Sequence, residues 1–196
     1  MKIIGITGGV GSGKSRVLSY MESRFDAVVC QADHVAWLLQ EPGQKCYAQI
    51  VKHFGREILH DDATINRKKL GQIVFGDKEE LLVLNGIMHP AVKQAIVEQI
   101  KIEQENETDY FVLEAALLLE DGYKQICDEL WYIYTDEMTR RYRLKESREY
   151  SDEKIDAIMA SQLSEEVFQK ECQIVIDNSG DFKDTCYQID KFMKQE

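Results

Sequence analysis

Residues 3 to 21, IIGITGGVGSGKSRVLSYM, constrain this chain more than any other stretch. Five of its twelve glycines, Gly5, Gly8, Gly9, Gly11 and Gly13, fall there. The run KIIGIT before the cluster predicts a short apolar strand of the kind buried in a parallel sheet. After it, Val17, Leu18, Met21 and Phe25 recur at helical spacing and predict one buried helix face. The context is therefore strand, glycine loop, helix. Within it Gly8-Gly9-Val10-Gly11-Ser12-Gly13-Lys14-Ser15 matches G-x-x-x-x-G-K-[ST], the phosphate-binding loop. Glycines let the backbone take positive φ and close round an anion without a Cβ in the way. The loop N–H groups and the positive end of the following helix then face phosphate oxygens. Lys14 is expected to reach the β- and γ-phosphates, and Ser15 to set its hydroxyl on Mg²⁺. An ordinary glycine-rich turn with an accidental lysine is the alternative. Four matched positions in the right local context weigh against it. The motif implies a nucleoside triphosphate and leaves its use open.

At 196 residues the chain suits one compact α/β domain, with room for a small appended lobe. Its formal net charge of −11 argues against nucleic acid or an anionic membrane as partner. An anionic small molecule is still possible, provided that the positive groups cluster locally. The five cysteines, Cys30, Cys46, Cys127, Cys172 and Cys186, are widely spaced and include no CxxC. They read as small buried thiols of a reducing cytoplasm rather than as a disulfide frame or a zinc site. The strand-like start leaves no room for a signal peptide, and the apolar runs are too short for a bilayer span, so a cytoplasmic location is expected.

Four further strands are expected at AVVCQAD (27–33), YFVLEA (110–115), LWYIYT (130–135) and QIVIDN (173–178), with helical patterns between them. The alternation implies a five-stranded parallel sheet flanked by helices, with its site at the carboxyl ends of the strands. Asp33 is expected to close the second strand, where it is either a general base for a substrate hydroxyl or the N-cap of the next helix. Glu114 acts near Mg²⁺ or is structural, the second being favoured. Arg140, Arg141, Arg143, Lys145 and Arg148 crowd into nine positions after a strand, as a phosphate-closing lid at about 137–160 or a solvated helix face. Residues 34–105 read as an inserted helical lobe that holds an acceptor, with a second basic spot at Arg67-Lys68-Lys69. One helix is expected to end near Met88 and another to start at Pro90. His89 then binds substrate or fills the junction, and the spacing favours the junction. No N-K-x-D guanine motif occurs, and D-x-x-G appears only at Asp177–Gly180, which disfavours a GTPase switch. A small-metabolite kinase fits best.

These pieces resemble the dephospho-coenzyme A kinase family. The matching stretches are ITGGVGSGKS (6–15), QADHVAWLL (31–39), EPG (41–43), INRKKLGQIVF (65–75), LNGIMHP (84–90), ALLLE (116–120), TRRYRLKESREYS (139–151), Gln162 and IVIDNSG (174–180). They keep the family's order over nearly the whole chain. The resemblance implies a P-loop NTPase fold with an inserted helical substrate-binding lobe and an arginine-bearing lid. It implies transfer of phosphate from ATP, with Mg²⁺, to the ribose 3′-hydroxyl of dephospho-coenzyme A. Carried over by position, Gly11, Ser12, Gly13, Lys14, Ser15 and Arg16 hold ATP, joined by Arg148. Asp33, Lys14 and Arg143 form the catalytic set, with Asp33 as general base. Asp33, Arg67 and His89 form the substrate-binding set. A monomer or weak homo-oligomer is expected. The chain departs from the family pattern at Arg16, at Ala116 and Leu119, and at Ser147, which holds the slot of the second lid arginine. Another small hydroxylated acceptor is the runner-up, and a nucleotide-binding switch the non-enzyme alternative.

Overall fold

The computed structural model describes residues 1–120 and 122–194. The strands are β1 (Lys2–Thr7), β2 (Val28–Gln31), β3 (Tyr110–Glu114), β4 (Glu129–Tyr134) and β5 (Ile174–Asp177). They form one parallel sheet in the order β2-β3-β1-β4-β5. Ile3 to Thr7 of β1 are all buried, as a central strand covered on both faces requires. β1 pairs with β3 on one side and with β4 on the other, so the glycine loop leaves the sheet at its middle. That is where a doubly wound sheet opens a crevice at its carboxyl edge.

The chain divides into two compact units, Met1–Val29 with Glu103–Glu196, and Cys30–Ile102. In the first, helices α1 (Lys14–Phe25) and α9 (Phe182–Met193) add their buried residues to the core. Val17, Leu18, Met21, Ile189 and Met193 meet Ile4, Ile6, Val112, Trp131, Ile133 and Ile176 of the strands. Helices α6 (Glu137–Arg148), α7 (Asp152–Ala160) and α8 (Glu165–Glu171) fill the segment between β4 and β5. Asp136 and Ser151 cap α6 and α7 by accepting the Thr139 and Lys154 N–H groups.

The second unit is helical: α2 (Ala32–Leu38), α3 (Lys45–Phe54), α4 (Arg67–Gly76) and the larger part of α5 (Lys78–Glu105). Two local expectations are corrected here. β2 stops at Gln31 and α2 begins at Ala32, so Asp33 lies in the first turn of a helix rather than at the strand's end, and the N-cap is Gln31. A carboxylate in a first turn suits the helix dipole, which favours the early start. The second correction concerns Pro90, which lies inside a continuous α5. Met88, Val92, Ile96 and Ile100 form one buried spine that runs through the proline. The lost bond would have gone to the carbonyl of Gly86, an exposed position where water can replace it. His89 is therefore an exposed residue in mid-helix, not the filler of a junction.

All five cysteines are free. Burial pushes the Cys30 and Cys172 thiols up to about 11 and the Cys127 thiol to about 12, so thiolate is scarce near neutral pH. A disulfide-exchange reagent at pH 7.5 is expected to label these three far more slowly in the native chain than in urea, as read by mass spectrometry. Ile133→Ala, which empties a fully buried site on β4, should cost about 2–5 kcal/mol in urea unfolding followed by circular dichroism.

Candidate functional site

The first unit's site grows from the end of β1. Gly8, Gly11 and Gly13 have φ of 153°, 84° and 82°, and Gly13 is the left-handed N-cap of α1. A Cβ on Gly13 would stand 2.5 Å from Asn178 Nδ2, and one on Gly8 2.6 Å from the Ile133 carbonyl oxygen. At these two positions both conformation and space demand glycine. Lys14 and Ser15 open α1, with Ser15 exposed.

The loop's carbonyls are held by side chains from around it. Lys14 Nζ donates to the Gly8 oxygen at 2.8 Å and reaches the Gly9 oxygen at 3.5 Å. Arg140 Nε donates to the Val10 oxygen at 3.0 Å. The Ser12 oxygen accepts from Asn178 Nδ2 at 2.7 Å and from Thr135 Oγ1 at 3.1 Å. A trans peptide holds its C=O and N–H on opposite sides. The tethered carbonyls of Gly8, Val10 and Ser12 therefore turn the N–H groups of Gly9, Gly11 and Gly13 the other way. That arrangement makes a cradle for an anion. Ser12 Oγ is the one buried side-chain oxygen or nitrogen among the described residues that lacks a hydrogen-bond partner. A phosphate oxygen would satisfy it. On both counts the loop fits a nucleotide's phosphates.

Other groups surround the loop. Glu114, at the end of β3, stands 3.8 Å from Lys14 Nζ, both largely buried. Its carboxylate thus belongs to the loop lysine's surroundings. Arg143 donates to the Asn178 carbonyl oxygen at 2.9 Å and lies 3.4 Å from Thr135 Oγ1. Arg16 lays its guanidinium 3.8 Å from the centroid of Phe182. Arg148, at the last turn of α6, flanks Tyr150 and lowers the pKa of its phenol. Arg141 and Lys145 pair instead with Glu137, Asp156 and Asp152. Helix α6 thus splits its cations, with Arg140 and Arg143 on the loop and Arg141 and Lys145 in solvated ion pairs.

Among the loop's partners, Arg140 entered the sequence reading only as one of five candidate lid cations, and Gln162 and Asn178 carried no assigned role. Arg140 also donates to Gln162 Oε1 at 2.7 Å, and that oxygen accepts the Val10 N–H at 3.3 Å. Gln162 follows α7, so it locks the loop to the segment after α6. Asn178 is buried, with its Oδ1 accepting from Thr185 Oγ1 at 2.9 Å. The i, i+3 spacing of Arg140 and Arg143 was the available signal for the first. Nothing local marked the partner of the others.

In the second unit, Asp33, His34, Trp37 and Arg67 are exposed. Arg67 begins α4, whose cap Asn66 accepts the Lys69 N–H at 3.0 Å. Its guanidinium stands 5.5 Å from the centroid of Trp37.

A glycine loop at the middle of a parallel sheet, a lysine at the start of the next helix and arginines from a separate helix define a P-loop protein of the phosphoryl-transfer kind. A family model described as dephospho-CoA kinase matches residues 2–184, and the chain belongs to that family. It is 37% identical over 186 residues to a dephospho-CoA kinase of Shouchella clausii, covering 95% of this chain and 94% of that one. It is 38% identical over 189 residues to one of Carboxydothermus hydrogenoformans, covering 96% and 91%. The solved dephospho-CoA kinase from Campylobacter jejuni superposes with a TM-score of 0.75 at 27% identity, over 100% of this chain and 97% of that one.

Asn178→Ala removes one donor to the Ser12 oxygen and leaves the buried Thr185 hydroxyl only the Asp177 carbonyl oxygen, at 3.3 Å. It should cost about 1–3 kcal/mol in chemical unfolding and weaken ATP binding measured by calorimetry. Gly13→Ala should weaken ATP binding at least as strongly, because its φ of 82° and its contact with Asn178 both oppose a Cβ.

Proposed function

We propose that the chain transfers the γ-phosphoryl group of ATP to the ribose 3′-hydroxyl of dephospho-coenzyme A, giving coenzyme A and ADP. The family match over residues 2–184 carries this reading, and the tethered loop supports its donor half. The loop N–H groups and Ser12 Oγ receive the triphosphate. Lys14, folded back on the Gly8 oxygen at 2.8 Å, swings to the β- and γ-phosphates. Asp33 accepts the 3′-hydroxyl proton as that oxygen bonds to the γ-phosphorus. The bond from γ-phosphorus to the bridging oxygen breaks, and ADP leaves with the electron pair. Arg143 and Arg140, both anchored beside the loop, offset the charge that builds on the phosphoryl oxygens. Arg16 and Arg148 complete the nucleotide's cationic surroundings, and Arg67 and His89 serve the acceptor. Ser15 would hold Mg²⁺ through its hydroxyl, and the ion would supply neutralisation of phosphate charge. No helix among the described residues is long and apolar enough to cross a membrane. Five free thiols suit the reducing cytoplasm in which we place the enzyme.

The test is ADP release with Mg²⁺·ATP and a panel of acceptors: dephospho-coenzyme A, nucleosides, gluconate and shikimate. Saturable turnover is expected on dephospho-coenzyme A alone, with a new 3′-phosphate by mass spectrometry. Turnover confined to another acceptor overturns the substrate assignment. Asp33→Ala and Lys14→Ala should each lower kcat/KM by at least about 10²–10³. A folded Asp33→Ala enzyme with near wild-type turnover removes Asp33 as the base.

A further inference from the structure

The helical unit exposes an aromatic face beside two groups that the proposed reaction uses. Trp37 keeps 43% of its surface exposed. The chain's other tryptophan, Trp131, is fully buried and donates its indole N–H to Glu129 at 3.0 Å. Trp37 is flanked by the Arg67 guanidinium and by the His34 ring, each 5.5 Å from its centroid. Asp33 precedes it by four residues on α2, so the carboxylate and the indole share a helix face about 6 Å apart along the axis. One small surface therefore gathers a carboxylate, an indole and a guanidinium, contributed by two helices whose residues lie thirty positions apart in sequence (Trp37 and Arg67).

We infer that Trp37 is the stacking platform for the purine base of the acceptor, with Arg67 beside it for the acceptor's diphosphate. The inference rests on the proposed function and goes beyond it by assigning the base a site. In the acceptor, one ribose carries the reacting 3′-hydroxyl, the base and the 5′-diphosphate. A hydroxyl presented to Asp33 therefore brings a base within one sugar's width of that carboxylate. Trp37, one helical turn away on the same face, stands at that separation. Every purine has a flat π-face, and an exposed indole is the side chain best suited to cover it. A guanidinium matches phosphate oxygens through paired N–H groups, and Arg67 stands over the indole ring, so the base takes the part of the ring left exposed. The His34 ring, on the same helix, packs against the indole at a tilt of 36°.

The two tryptophans allow a direct test. Titrating the wild-type protein with dephospho-coenzyme A, without ATP, should quench the fluorescence of the exposed indole. Titration with 4′-phosphopantetheine, which lacks the base, should not. Trp37→Phe keeps a ring, so it should lose the quench and hold acceptor KM within a few-fold of wild type. Trp37→Ala should raise acceptor KM about tenfold or more, with the loss falling on KM rather than on kcat. Turnover of dephospho-coenzyme A with no quench, or with an unchanged KM in Trp37→Ala, overturns the platform and leaves the proposed function standing. Equal quenching by 4′-phosphopantetheine also overturns it, since the contact would then be with the pantetheine arm. Absence of both binding and turnover of dephospho-coenzyme A overturns the function and the platform together.

Discussion

The phosphate loop works because its carbonyls are occupied elsewhere. A backbone that must present N–H groups to an anion has to send its oxygens to other donors, since a polar group buried without a partner is costly. Here Lys14 takes the Gly8 oxygen, Arg140 the Val10 oxygen, and Asn178 with Thr135 the Ser12 oxygen. These donors come from α1, α6 and the ends of β4 and β5. The sheet order sets those ends around the end of β1, so the loop depends on the parallel topology and not only on its own glycines.

Charge follows the same logic. The chain carries a formal net charge of −11, and its cations are partitioned rather than plentiful. Helix α6 turns Arg140 and Arg143 to the loop while Arg141 and Lys145 are neutralised by exposed acids. Exposed pairs of that kind contribute little stability. They do keep the helix's outer face from competing for phosphate. The guanidiniums at the loop are fixed by carbonyl and amide acceptors, which cancel none of their charge and leave it available to a polyanion.

Much of this was legible in the chain alone. The strand β1 ends where the apolar run ends, at Lys2–Thr7 as expected, and the other strands start or stop within two residues of the expected bounds. Lys14 and Ser15 begin α1, as the motif requires. The departures have physical causes. Helix α5 runs through Pro90 because a buried spine outweighs one missing hydrogen bond at a wetted carbonyl. Asp33 moved from a strand's end into a helix because a carboxylate is welcome in a first turn. The acceptors of Arg140, and any role for Gln162 and Asn178, went unread because each acts through a partner far away in sequence. The three, with Val10, span residues 10 to 178 and follow no local period.

The sequence by itself determined the elements whose cause is local: a glycine loop that admits positive φ, a lysine and serine at a helix start, and strands spelled by unbroken apolar runs. It also determined the family, because eight short motifs and Gln162 keep their order along the chain. Only the tertiary structure decided which donors hold the loop open, which cations of α6 face it, and which guanidinium stands beside Trp37. Those are pairings between distant segments. A local pattern states what a residue prefers to be near, and the fold alone determines which of many chemically equivalent partners it meets.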